Sequence, residues 1–411
     1  MIATTNTQPI NLRRRLLDGI AFLLVAYAAL NLNGVMQMLT GTEAALSPLV
    51  LAASLVVIIA FGGRDLAGPV YFAFAGFFCL YLLGALVPLV MRGTLDTGRL
   101  ISYVGTLLFC SAIYFYATRR GETAFAALFA SLKIMFAIDC LAALNAPALS
   151  AVFEHARVTE RATGFFDNPN ETAVMALYYC VLCVTAPSRS RLWTAAQIAL
   201  AFVTILATFS KTGLLLFLVL AAGYLLSRRA YGWLLLAAVG VALALPVLDT
   251  LATLNPLGLS IDQRRRIEQI VRVFSGDIDD KVTTGRTVLW SLGLDRISTT
   301  FPFGGGLGSF HNMEGGFANE DGEWLGVHNA FLMVLGESGL IPLLALFGFL
   351  AALLRSVLAS PRWLMGLGLM TVLVGDMLVT HGVLAIRVHD LMLAIIMAIA
   401  FRGARPDVRA R

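Results

Sequence analysis

Apolar residues in this chain run on rather than alternate. Leu214 to Leu226 reads LLLFLVLAAGYLL, and comparable runs recur from residue 16 to residue 401. Each approaches the ~20 residues that an α-helix needs to cross a ~30 Å hydrocarbon core. Barrel strands alternate apolar and polar positions instead. The pattern predicts an all-α polytopic membrane protein of about twelve transmembrane helices. They fall at 16–39, 46–61, 67–90, 99–117, 123–144, 170–186, 192–209, 212–227, 231–249, 329–354, 363–380 and 383–401. His381, Arg387, His389 and Asp390 crowd the junction of the last two. Two polar segments interrupt what reads as a single integral membrane domain, 1–411: a loop at 145–169 and a large one at 250–327, between the ninth and tenth spans.

Composition agrees. Of 411 residues, 58% are hydrophobic and 13% charged, and mean hydropathy is +0.81, too little charge to cover a soluble protein of this length. Basic residues in short loops set orientation. With the N-terminus in the cytoplasm, sixteen Arg fall on the inner side, among them Arg13 to Arg15, Arg119, Arg120, Arg228 and Arg229. The short outer loops hold six bases: Arg92, Arg99, Arg157, Arg161, Lys211 and Arg387. Both termini are therefore expected inside and residues 250–327 outside. The first span is expected to be retained, being long and without a small-residue cleavage site. The net charge of +5 belongs to this topology rather than to nucleic-acid binding. All five Cys lie in apolar runs, so Cys180-x-x-Cys183 reads as core rather than as a redox or zinc motif.

The inner loops are too short to build a site, so the chemistry is expected outside. SIDQRRRIEQIVRVF opens with Ser260 and Gln263 at capping-box spacing. Ile267, Ile270, Val271 and Phe274 then recur at helical intervals among Arg264, Arg265, Arg266 and Arg272, which predicts a short amphipathic helix. TTGRTVLWSLGLDRI predicts a second helix with Arg286 at its start. FPFGGGLGSF lacks the Lys-Ser/Thr of a phosphate loop and reads as a tight turn against the membrane domain. Asp277 and Asp279 match an Asp-x-Asp metal pattern that any acidic loop can match, and no metal is expected. Polar residues collect at span ends on this face: Arg161, Asn170, Lys211, Arg286, His328 and Asn329. Snorkelling or helix capping could explain each one alone. Together they outline a cationic pocket that contains a His, and such residues at membrane depth are functional candidates.

These segments resemble the O-antigen ligase and polymerase superfamily of bacterial envelope glycosyltransferases. The resemblance runs from Arg161 to Pro342 and rests on RATGFFDNPNETA, FSKTGLLL, TGRTVLW followed by PFGGGLGSF, and VHNAFLMVLGESGLIP, in the family's order. The first five spans match in topology only. The resemblance implies a multi-pass enzyme of the bacterial inner membrane, with 250–327 as a partly helical periplasmic loop. It implies a glycan donor on undecaprenyl diphosphate, and as acceptor a lipid A core sugar (ligase) or a second lipid-linked repeat (polymerase). A transporter of lipid-linked glycans is a further alternative. The family's basic residue of the short turn maps to Lys211, where Arg is usual; Lys keeps the charge and loses the bidentate fork. The loop-helix Arg maps to Arg286 and the span-entry His to His328.

The expected roles follow from the chemistry. Charge builds on the departing diphosphate and needs fixed cations, here Arg286 and Lys211. Arg161, Asn170 and Asn329 are expected to help hold diphosphate or glycan. A sugar hydroxyl needs a base, and His328 suits that task. No cofactor is expected, and beyond the two glycans the only partners are membrane lipids. His311, some seventeen residues before its span and after a Gly-rich run, is expected to be dispensable. Glu337 lies about 180° round an ideal helix from His328 and is expected to face another span.

Overall fold

The computed structural model describes residues 12–40, 46–63, 65, 67–84, 86, 90, 97–145, 149, 161–166, 168–188, 190–256, 258–277, 285–311 and 326–404. Most of the 145–169 loop therefore lies outside the described residues. So do Asp279, Asn312, Arg64, Arg92, Arg157, Arg189, Arg405, Arg409 and Arg411, and the side chains of Arg13 and Arg14.

Every regular element among the described residues is helical. The first half of the chain forms α1 (Leu12–Ala29), α2 (Leu32–Thr40), α3 (Ser47–Phe61), α4 (Pro69–Gly84), α5 (Thr97–Arg119), α6 (Glu122–Leu144), α7 (Pro169–Thr185) and α8 (Arg191–Ala207). The second half forms α9 (Lys211–Ser227), α10 (Tyr231–Leu254), α11 (Ile261–Phe274), α12 (Arg286–Thr300), α13 (Ala330–Ser338), α14 (Leu340–Leu358), α15 (Trp363–Met377) and α16 (Arg387–Ala404). A short 3-10 turn, Gly382–Leu384, joins the last two. Four helices, α5, α6, α10 and α14, are each long and apolar enough to cross a membrane, and the bent pair α1–α2 brings the number to five. The other apolar helices of the bundle are shorter, α3, α4, α8, α9 and α15 among them.

Two expected spans are broken. Residues 16–39 bend by 70° between α1 and α2. Asn31, in the left-handed region at φ 42°, makes the corner, and its amide donates to the Phe165 carbonyl at 2.8 Å. Residues 329–354 break at Gly339, between α13 and α14. The two helices at the centre, α7 and α16, are buried almost all round: every residue from Thr172 to Cys183, and from Val388 to Phe401, is buried. A helix apolar on all sides belongs in such a core. By contrast, α10 has none of its apolar stretch buried.

The glycine run seats on the break at Gly339. Gly305 N–H donates to the Gly336 carbonyl at 2.6 Å, Gly306 N–H to Glu337 at 2.8 Å, and Leu340 N–H to Pro302 at 2.9 Å. The run is thus a packing turn, as expected, and it satisfies carbonyls that a broken helix would leave without donors. Gly339 has φ 89° and ψ −170°, a region open only to glycine, and a Cβ there would lie 2.2 Å from the Pro302 carbonyl oxygen. Gly339→Ala is therefore expected to destabilise the protein by at least ~2 kcal/mol. Thermal unfolding in detergent should show a clear drop in Tm, whereas Gly348→Ala, in open space, should leave Tm unchanged.

Candidate active site

Helix starts assemble the site. The turn before α9 is built from Thr208, Phe209 and Ser210. Phe209 takes the left-handed region at φ 49°, and Ser210 caps α9 by accepting from Gly213 N–H at 3.2 Å. Lys211 follows as the first helical residue, ahead of the apolar run. Its ammonium donates to Gln269 Oε1 of α11 at 3.0 Å. As expected, α11 carries a full Ser260–Gln263 capping box. It buries Ile267 and Ile270 and so holds its arginines over this turn.

Arg161 lies on the same turn. Its Nε donates to the Thr208 carbonyl at 2.8 Å, and its guanidinium reaches Asn170 Oδ1 at 3.4 Å. Asn168, rather than Asn170, caps α7, so Asn170 serves to hold Arg161. Arg286 opens α12 after Gly285, which takes φ 74°.

The cations press on one another. Burial lowers the Lys211 pKa to about 8, helped by Arg266, Arg286, Arg161 and Arg265. Arg161 is lowered to about 10, by burial and then by Arg266. Arg286 is lowered by burial, with Asp376 opposing and Arg266 adding to the shift.

His328 stands beside this group at the mouth of α13, with φ 47°. Asn329 fixes that corner. It is the helix cap, with Oδ1 accepting from Phe331 and Leu332 N–H at 3.0 Å each and its amide donating to the Leu378 carbonyl at 3.1 Å. The Asn329 side chain is thus engaged by protein backbone on both its oxygen and its nitrogen. Burial lowers the His328 pKa to about 4, and the charge of Arg286 adds to the shift. The imidazole is therefore neutral at pH 7 with a wide margin, where its type alone suggested a value near 6.5.

Three residues join the site that sequence reasoning left out of it. The ring of His381 meets those of His328 and His311 edge to face, with centroids 5.0 Å away in both cases. His381 is lowered to about 3 by burial and then by its two His neighbours and Arg99. His311, expected to be dispensable, is folded back by the glycine turn across the sequence gap, next to His381 and Glu337. Its Nδ1 lies 3.0 Å from Glu337 Oε1. Glu337 is fully buried and does not pair with His328, as the helical angle implied. It also accepts from Tyr81 O–H at 2.5 Å and Gly308 N–H at 2.9 Å. Among the described residues, buried His311 Nε2 and His381 Nδ1 have no hydrogen-bond partner. His381 was legible as a polar residue at a span end. His311 and Glu337 were not, because their meeting depends on the break at Gly339.

Asp277 is held by Arg272 Nε at 2.8 Å, and no group of three or more His, Cys, Asp or Glu among the described residues is arranged for a metal ion. Glu337→Ala would strand three partners at once, and removing one member of such a buried set typically costs ~3–5 kcal/mol. The variant should unfold at markedly lower temperature in detergent. Tyr81→Phe, which removes one hydrogen bond, should cost only ~1 kcal/mol in the same measurement.

No curated protein matches the chain. Residues 196–347 match a family model described as O-antigen ligase, a stretch that runs from within α8 to within α14 and includes Lys211, Arg286 and His328. That segment is similar to the O-antigen ligase family.

Proposed function

We propose that the protein is an O-antigen ligase-like glycosyltransferase. It takes a glycan from undecaprenyl diphosphate and passes it to a lipid A core sugar, without a metal, at the periplasmic face of the bacterial inner membrane. The observation that carries this reading is the set of mutually repelling cations Lys211, Arg161 and Arg286, held at helix starts beside a half-buried, neutral His328. Helix N-termini carry partial positive charge and attract anions. Adding Lys and Arg at these positions is locally unfavourable unless an anion such as a diphosphate is to be held. The Arg-rich inner loops support cytoplasmic termini, and the recurrent apolar runs support about twelve spans, several of them short or broken.

In this reading the acceptor oxygen forms a bond to the donor's sugar carbon as the bond from that carbon to the diphosphate oxygen breaks. The acceptor's proton goes to the imidazole of His328. The negative charge left on the diphosphate falls on Arg286 and Lys211, fixed and partly dry, where such stabilisation is strongest. Bound diphosphate also offsets the Arg286 charge that helps depress His328, so the base strengthens as the donor arrives. Asn170 and Asn329 position Arg161 and His328.

His328→Ala is expected to reduce transfer from an undecaprenyl-diphosphate donor to lipid A core acceptor by at least ~10²-fold while the protein still inserts and purifies. Wild-type-like transfer by that variant would remove His328 as base. Transfer only onto a second lipid-linked repeat would make the enzyme a polymerase.

The pH profile provides a second check. His328 is depressed, so it stays neutral down to about 4. The acid limb of kcat/KM, which reports the free enzyme, should lie well below the usual imidazole range. Lys211 loses its charge as pH rises through about 8, so activity should decline there. Lys211→Arg should retain activity and move that alkaline limb upward. Lys211→Ala should lose most activity at every pH.

A further inference from the structure

At the bundle end opposite His328, two cavities adjoin. The first, about 490 Å³, lies between α7, α8, α9 and α15 and is apolar, lined by Val181, Ile198, Phe217, Leu220 and Leu367 among others. The second, about 390 Å³, is lined by Lys133, Arg228, Arg362, Phe129, Ala186 and Met365 among others. Thr185 and Leu364 line both. The 17 residues of α9 put this end about 24 Å from Lys211. Leu216 packs so closely on Gly375 that a Cβ there would meet it at 2.4 Å. Neither Leu216 nor Gly375 lines the apolar cavity, and neither do Arg161, Lys211, Arg286 or His328, so it is not a continuation of the candidate active site.

The second cavity is lined by three bases and, among the described residues, by no carboxylate. Lys133 Nζ is anchored on the Ala186 carbonyl at 2.8 Å. Arg362 reaches Glu122 at 2.5 Å, but Glu122 also binds Arg402 at 2.9 Å, so this carboxylate is shared between two guanidiniums. Arg228 is exposed at the end of α9, its guanidinium 5.4 Å from the Tyr224 ring. An apolar cleft between membrane helices that leads to a basic pocket matches one ligand chemistry, a phosphate head on a hydrocarbon tail. A soluble anion has no use for the cleft, and a zwitterionic lipid gains little from three bases that have one carboxylate among them.

We propose that this double cavity binds an anionic glycerophospholipid, with its phosphate at Lys133, Arg228 and Arg362 and an acyl chain between α9 and α15. The proposal needs only that the chain is a membrane protein and does not depend on the transfer reaction. The cavity volumes fall within the ~300–1,000 Å³ of small-molecule sites.

The test is native mass spectrometry of the full chain released from nanodiscs of mixed phosphatidylcholine and phosphatidylglycerol. Wild type should retain phosphatidylglycerol in preference to phosphatidylcholine. The Lys133→Gln/Arg228→Gln double variant should lose about tenfold of that retention. Arg228→Gln alone, on an exposed side chain that leaves the fold intact, should lose part of it. Leu220→Trp, filling the cleft, should lower retention without a change of headgroup charge. Equal retention of the two lipids, unchanged retention in both charge variants, or full displacement by inorganic phosphate alone would each overturn the proposal.

Discussion

Like charges held together at the starts of helices are the constraint on which this molecule turns. Lys211 is the first residue of α9 and Arg286 the first of α12, and Arg161 is tied to Asn170 at the start of α7. The helix dipole opposes a cation at each of these places, burial opposes it again, and the side chains repel one another, as the lowered Lys211 pKa records. Among the described residues, Asp262 opposes the lowering of Arg161 and Asp376 that of Arg286, and both cations stay lowered. Under the proposed function the donor's diphosphate relieves this repulsion, and the relief contributes to binding.

Such an arrangement works only if the helix starts stay where they are. The break at Gly339 makes that possible. It frees carbonyls that the glycine turn then satisfies, and it directs Glu337 inward to Tyr81, Gly308 and His311. One buried carboxylate therefore ties α4 and the glycine turn to α13. With Asn329 capping α13 and gripping the Leu378 carbonyl, His328 is held in its left-handed corner. The residues that build the site are thus mostly distinct from those proposed to do chemistry in it.

Arg286 connects the two halves. It contributes to lowering both Lys211 and His328, so under the proposed function the charge of a bound diphosphate reaches the imidazole. Lys at position 211 is a group whose pKa burial and basic neighbours lower to about 8. A guanidinium in the same place would hold its charge across the working range.

The sequence by itself determined that the chain is helical and built for lipid, because runs of apolar residues need no tertiary information to be read. It also determined the capping box of α11, the helix that starts at Arg286, and the polar residues at span ends. These are local patterns, set by hydrogen bonding within one turn or by a side chain's cost in hydrocarbon. Two spans are continuous in the apolar pattern where the fold breaks them at Asn31 and Gly339. Each break is stabilised by distant backbone, Phe165 in one case and Pro302 with Gly305 in the other, which no local pattern announces. The company of His311, His381 and Glu337 was likewise decided by tertiary structure. Residues far apart along the chain meet only because the glycine turn doubles back onto the gap between α13 and α14. The depression of His328 has the same origin, since a pKa depends on burial and on neighbouring charge, and both exist only once the chain has folded.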